Sequence, residues 1–257
     1  MGDEVVNERQ GHVLLVRLNR PEARNALNAA VINGLGAAIN EAETDAEVRA
    51  IVLTGTGDKA FSSGMDLRAF AGGEAATAGD PKATEGFRRL IESQVTVPVI
   101  GAANATAVAG GFELLLSCDL IVASSDARFG LPEVKRGLFP AGGGMLLGTR
   151  IPLAAAMEIA LIGDQIDAQR AYALGLVNAV VAPNQVVPNA LAFAERIAAN
   201  GPLGVAAIKE LLRLAVTDAT RAQDRYRELQ PLVFGSDDAK EGARAFVEKR
   251  APVWKGR

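Results

Sequence analysis

The stretch AVAGGFELLLSCDLIVASSDARFGLPEVKRG, Ala107–Gly137, decides the fold class and raises the functional question. A small-residue turn leads into an apolar run, and Leu120-Ile121-Val122-Ala123 then reads as a short buried strand. Two acids sit in these surroundings. Glu113 stands between Gly110-Gly111-Phe112 and Leu114-Leu115-Leu116, and Glu133 follows Phe129-Gly130-Leu131-Pro132. An ionised carboxylate is costly to bury unless it is paired or hydrogen-bonded. A buried acid with a raised pKa is also the usual form of a proton donor. The plainer alternative is a pair of structural carboxylates that cap nearby helices.

The same alternation extends outward. Val13–Leu18 is an apolar strand after a turn at Gly11, and Ala50–Gly55 and Val99–Ala102 repeat the pattern. Asn28 is the expected N-cap of a helix running toward Thr44, with Val31, Leu35, Ala38 and Ile39 at helical spacing. Strands alternating with helices predict an α/β core with helices packed on sheets. From Val187 onward the pattern is almost wholly helical, over Ala190–Ala199, Leu203–Val216 and Ala222–Phe234. This divides the chain into a core over 1–187 and a helical region over 188–257.

Composition excludes several classes. The 257 residues are 49% hydrophobic with a net charge of −3, so no chain-wide basic field invites nucleic acid. The apolar runs are broken well short of the ~20 residues of a membrane span. One cysteine, Cys118, fits a reducing cytoplasm and reads as a core thiol, and the single histidine, His12, argues against His-based catalysis and multi-His metal sites. Ala71–Asp80 is small, polar and glycine-rich, which suits a spacer loop or a ligand gate. Trp254 and the basic tail Lys255-Gly256-Arg257 suggest no function.

Two glycine-containing turns follow strands, one at Lys59–Leu67 and one at Ala105–Glu113. Small side chains allow close approach to the backbone, and a helix start offers free N–H donors. Convergence of the two would make an oxyanion hole.

Several motifs then occur in order: Arg20–Leu27, Phe61-Ser-Ser-Gly-Met-Asp-Leu67, Ala109-Gly-Gly-Phe-Glu113, Cys118-Asp119, Phe129-Gly-Leu-Pro-Glu133, Gly137–Gly144, Ala173–Asn178 and Lys240–Arg250. This set resembles the enoyl-CoA hydratase/isomerase (crotonase) family over nearly the whole chain. The resemblance implies a spiral of ββα units followed by a helical trimerisation region, hence a homotrimer or a dimer of trimers. It implies an acyl-CoA thioester substrate and no metal or redox cofactor. It places catalysis on Glu113 and Glu133, and the oxyanion hole on the backbone N–H groups of Met65 and Gly110. Glu133 is then the principal acid/base and Glu113 the partner holding water. CoA contacts would come from Ala23 and Arg24, from Ala60, Ser63, Gly64, Asp66 and Leu67 along the thioester arm, and from Phe246 and Lys249 of a neighbouring subunit's last helix.

Two positions depart from the common pattern. Ala141, near the water site, replaces a frequent glycine, and Met65 replaces a frequent alanine. The run Phe129–Arg136 is also similar to carnitinyl-CoA dehydratases, and a double-bond isomerase or a non-catalytic acyl-CoA binder could share the fold.

Overall fold

The computed structural model describes residues 4–66, 72 and 79–257. Its main sheet has six strands in the order β1 (Val5–Gln10), β2 (Val13–Leu18), β3 (Ala50–Gly55), β5 (Val99–Ala103), β7 (Leu120–Ser124) and β10 (Ala179–Val181). β1 and β2 form an antiparallel hairpin across Gly11-His12, with Gly11 at φ +57°, and the remaining neighbours pair in parallel. Parallel sheets are covered on both faces, so their strands read as unbroken apolar runs. Leu14, Val16, Leu18, Ile51 and Leu53 face a core completed by Val31, Leu35, Ala38 and Ile39 of helix α1 (Ala29–Thr44). Val13, Leu15, Ala50, Val52, Ile100 and Val122 face the other way. The Asn28 side chain accepts the Val31 N–H at 2.9 Å, which caps α1 as expected.

A second, four-stranded sheet runs β4 (Ala60–Ser62), β6 (Thr106–Val108), β8 (Arg128–Gly130) and β9 (Ile166–Asp167). Its first three strands follow β3, β5 and β7 in the chain, so each long strand hands on to a short one. After β4 come the turn at Met65 and, further on, helix α2 (Pro81–Ile91); after β6 comes α3 (Gly110–Ser117). This produces stacked ββα turns. Phe112 and Phe129 pack between the layers with ring centroids 5.6 Å apart. Beyond β8 follow three short helices, α4 (Leu147–Arg150), α5 (Leu153–Ile162) and α6 (Ala168–Ala173).

The C-terminal helices are α7 (Val186–Ala198), α8 (Pro202–Thr217), α9 (Ala219–Phe234) and α10 (Asp237–Glu248). The expected boundary at residues 187/188 falls inside α7. Val186, Ala190 and Ala194 of that helix cover the second face of the main sheet, so α7 is part of the core. The region without buried residues begins at α8 and includes α9. A composition shift marks where strands stop, and it does not reveal which face a helix covers. Among the described residues, no helix is long and apolar enough to cross a membrane.

Candidate active site

The turn after β4 and the start of α3 meet side by side. The Leu27 N–H donates to the Gly64 carbonyl at 2.8 Å and the Asp66 N–H to the Leu27 carbonyl at 3.0 Å. This one-residue parallel bridge uses the groups flanking Met65, so the Met65 N–H points away from Leu27. Gly64 lies at φ +85°, and a Cβ there would sit 2.8 Å from the Gly110 nitrogen. A Cβ on Gly110 would be 3.5 Å from the Met65 nitrogen. The two N–H groups therefore border one small space, and among the described residues neither has a hydrogen-bond acceptor. Ala109, just before α3, takes φ +50° and ψ −133°, a backbone conformation costly for a side chain with a Cβ. Its N–H is held by the Gly130 carbonyl at 3.0 Å.

Asn25 locks the first turn from behind. It is fully buried; its Nδ2 donates to the carbonyls of Thr56 at 3.0 Å and Ala60 at 2.8 Å, and its Oδ1 accepts the Arg20 N–H at 3.0 Å. The Ser62 hydroxyl donates to the Asn25 carbonyl at 2.8 Å.

Glu113 occupies the first turn of α3 and is only 5% exposed. Its Oε1 accepts two backbone N–H groups, from Gly142 and Gly144, each at 2.8 Å. A Cβ on Gly142 would come within 2.9 Å of Oε2, so glycine is needed for this approach. Burial pushes the Glu113 carboxyl above its ordinary value; the N–H groups of Gly144 and Gly142 pull it down, and the nearby Glu133 charge pushes it up. Glu133 lies in the 3-10 turn Pro132–Arg136. Burial also raises its pKa, against a lowering pull from its own backbone N–H and from Arg136. Among the described residues, its buried Oε2 has no hydrogen-bond partner. The Glu133 charge is thus felt at Glu113, so the two acids cannot both ionise cheaply.

The far end of α3 is anchored by charge. Asp119 accepts Lys209 at 2.8 Å and Arg213 at 2.7 Å, and Arg150 donates to the Leu116 and Cys118 carbonyls. Cations at a helix C-terminus complement its dipole. Although burial opposes ionisation of Asp119, Lys209 and Arg213 outweigh it and hold its carboxyl below the usual range. Cys118 is buried and its thiol is pushed up to about 12 by desolvation, as suits a core thiol.

The other expected contacts fall as follows. The Ser63 N–H donates to the Arg24 carbonyl at 3.0 Å, which sets Ala23 and the exposed Arg24 beside the Ala60–Gly64 turn. The Asp66 carboxylate pairs with Arg20 at 3.0 Å, so this side chain helps hold the turn. Leu67 lies outside the described residues, as does the Ala71–Asp80 segment except Gly72, Gly79 and Asp80. Ala141 is exposed, next to the Gly142 donor. Phe246, 85% exposed, and Lys249 lie at the end of α10, and no hydrogen bond among the described residues ties them to this pocket. Sequence reasoning missed Asn25, Gly142 and Gly144. The triple glycine 142–144 was the available signal, since such a run exposes N–H groups to a nearby acid. Among the described residues no cluster of His, Cys, Asp or Glu could hold a metal ion.

Beside these two acids and two N–H groups, the sequence itself matches a known family model. Residues 8–257 fit the enoyl-CoA hydratase/isomerase model. The chain belongs to the enoyl-CoA hydratase/isomerase family. A carnitinyl-CoA dehydratase of Salmonella typhi is 38% identical, with all of both chains covered. The crystal structure of an enoyl-CoA hydratase from Mycobacterium tuberculosis H37Rv superposes with a TM-score of 0.91 at 46% identity, covering 99% of this chain and 100% of that one. A carnitinyl-CoA hydratase structure from Mycobacterium avium gives 0.79 at 42% identity, with both chains fully covered. The crotonase-type ββα spiral expected from the motifs is therefore the fold of this enoyl-CoA hydratase/isomerase family member.

Proposed function

We propose that the protein is an enoyl-CoA hydratase, a hydro-lyase that adds water reversibly and syn across a 2-enoyl-CoA to give a 3-hydroxyacyl-CoA. The observation that carries this reading is the pairing of two N–H groups, unpartnered among the described residues, with two acids of raised pKa, one of them on the same helix as Gly110. The thioester oxygen would accept hydrogen bonds from Met65 and Gly110. As hydroxide character adds at C3, negative charge moves onto that oxygen, and each fixed donor contributes about 3 kcal/mol of transition-state stabilisation. Glu113 is the ionised member of the pair, because two N–H groups already satisfy its Oε1. Its other oxygen orients water and takes one proton as the C–O bond forms. Glu133 carries the proton at rest, because burial raises its pKa and no donor among the described residues supports a charge on its buried Oε2. It delivers that proton to C2. Proton exchange between the acids and solvent then restores the starting state, so the sum is one water added.

The reaction needs no metal or redox group, and CoA enters as part of the substrate. Ala23, Arg24, Ala60, Ser63, Gly64 and Leu67 would line the pantetheine and thioester arm, with Asp66 acting through its ion pair to Arg20. Phe246 and Lys249 would serve the CoA of a neighbouring subunit in a trimer or dimer of trimers. The exposed apolar faces of α8 and α9 support assembly, and one reduced cysteine fits a cytoplasmic setting. Dehydration of a carnitinyl-CoA is the second reading, favoured by the full-length relatives of that name in Salmonella typhi. Loss of conjugated-enone absorbance across a panel of 2-enoyl-CoA thioesters tests the first reading, with crotonobetainyl-CoA as the arm for the second. Failure to hydrate any member would overturn both and leave an isomerase or a non-catalytic acyl-CoA binder.

A further inference from the structure

The last seven residues, for which the sequence suggests no role, make a dense set of contacts. At Lys249 the backbone turns left-handed, φ +53°, and the chain reverses beside α10. The residues of α10 that are buried, Asp238, Glu241 and Ala245, share one face, and two of them are carboxylates. The tail bonds to both carboxylates. The Asp238 carboxylate accepts the N–H groups of Lys255 at 2.7 Å and Gly256 at 2.9 Å, while its own N–H donates to the Arg257 carbonyl at 3.1 Å. Glu241 accepts the Val253 N–H at 3.0 Å and the Arg250 guanidinium at 2.6 Å.

Trp254 then joins this unit to the core. Its Nε1 donates to the Ala199 carbonyl at 2.8 Å, just past the end of α7. Its ring lies between Gly201, at the start of α8, and Gly242 of α10; a Cβ on Gly242 would reach within 3.2 Å of the ring. Gly242 is therefore where α10 approaches the indole. The tail does not lie flat. Between it and α10 lies an open depression of about 530 Å³, lined by Lys240, Arg244, Val253 and Lys255 as well as the two carboxylates. Apolar packing alone does not hold α10: its outward Phe246 and Val247 are largely exposed. The tail's hydrogen bonds and the indole add to the packing of Ala245 in holding it.

We propose that Ala251–Arg257 is a clasp, with Trp254 and Asp238 as positioning residues that set the stance of α10 and so present Phe246 and Lys249 to the CoA moiety of the substrate. The proposal rests on the reading of α10 as a CoA-contacting helix. The clasp's effect is on binding, because the acids and the oxyanion donors stand on other elements.

Trp254 is the only tryptophan, so its emission reports seating of the clasp directly. In the full-length enzyme, Trp254→Ala should speed hydrogen exchange across residues 237–248 and raise KM for crotonyl-CoA about fivefold, with kcat within about twofold. Trp254→Phe, which keeps a ring between the two glycines, should recover most of that KM. Asp238→Ala should redden Trp254 emission and raise KM likewise, whereas Asp238→Asn, retaining one acceptor oxygen, should do less. Unchanged exchange over 237–248 in Trp254→Ala overturns the clasp outright. Faster exchange with unchanged KM, while Phe246→Ala does raise KM, overturns its role in substrate presentation and leaves the helix reading intact. If Phe246→Ala and Lys249→Ala also leave KM unchanged, the helix reading itself falls, and the proposal falls with it.

Discussion

The ββα core and the helix α8 bury opposite kinds of surface. In the core, strand segments such as Val13–Val16 and Ile51–Leu53 are apolar on both sides and are covered on both sides by the same chain. In α8, Lys209 and Arg213 turn inward to Asp119, while every exposed position before the terminal Thr217, namely Gly204, Ile208, Leu212, Ala215 and Val216, is small or apolar. Leu212 is 62% exposed and Val216 64%. Two of the charges on α8 thus face the core while its apolar residues face outward, the pattern of a surface suited to being covered. The core therefore covers its own apolar surface and carries both candidate acids, whereas α8 leaves an apolar face that the described residues do not cover.

Four measurements would break or sharpen this contrast. The largest effect is expected at the core's reacting acid. Glu133→Gln should lower hydration turnover by about 10³-fold, within the range for loss of a general acid, while calorimetry still shows acyl-CoA binding. Near-normal turnover would end its assignment as proton donor. Gly64→Ala comes next. The added methyl would sit 2.8 Å from the Gly110 nitrogen at a positive φ, so kcat should drop about 10²-fold as one oxyanion donor is displaced. A rate loss confined to KM would count against an oxyanion hole at that position.

The third measurement compares the two regions directly. Leu53→Ala removes a buried side chain and should lower the unfolding free energy by about 3 kcal/mol in denaturant titrations. Leu212→Ala should leave the core's unfolding nearly unchanged at low protein concentration and instead weaken association in sedimentation velocity, by about 1 kcal/mol per subunit contact. Equal losses of core stability from both would show that α8 belongs energetically to the core.

The smallest effect concerns pH. Burial raises the folded-state pKa of Glu113 above its ordinary 4.5, so the folded protein holds this proton more tightly than the unfolded chain does. That favours folding below the unfolded value, and the contribution is lost as pH rises through the raised one. Glu113→Gln keeps an oxygen for the Gly142 and Gly144 N–H groups but cannot ionise. Melting temperatures taken from about pH 4 to about pH 8 should show wild type losing ground to this variant as pH rises. Parallel curves would mean that the two N–H donors fully offset burial.

Much of this was legible from the order of residues. Long strands and capped helices carry local signals: the apolar run of β3 and the Asn28 cap coincide with the elements found. The acids were conspicuous because carboxylates are rare in apolar runs. β1 was not legible, since an edge strand reading Val5-Val6-Asn7-Glu8-Arg9-Gln10, mostly exposed, shows no alternation. β4, β6, β8 and β9 are two or three residues long, too short for any period to register.

The sequence by itself determined that two acids and two glycine turns exist within strand–helix units, because burial pattern, capping and turn chemistry are local properties. Only the tertiary structure decided which of the three glycines at 142–144 hold Glu113, that Asp66 pairs with Arg20, that α7 covers the sheet, and that the tail fastens α10. These depend on contacts between residues far apart in the chain. Whether a backbone N–H meets a carboxylate or water is settled by the packing of whole elements, and no local pattern encodes it.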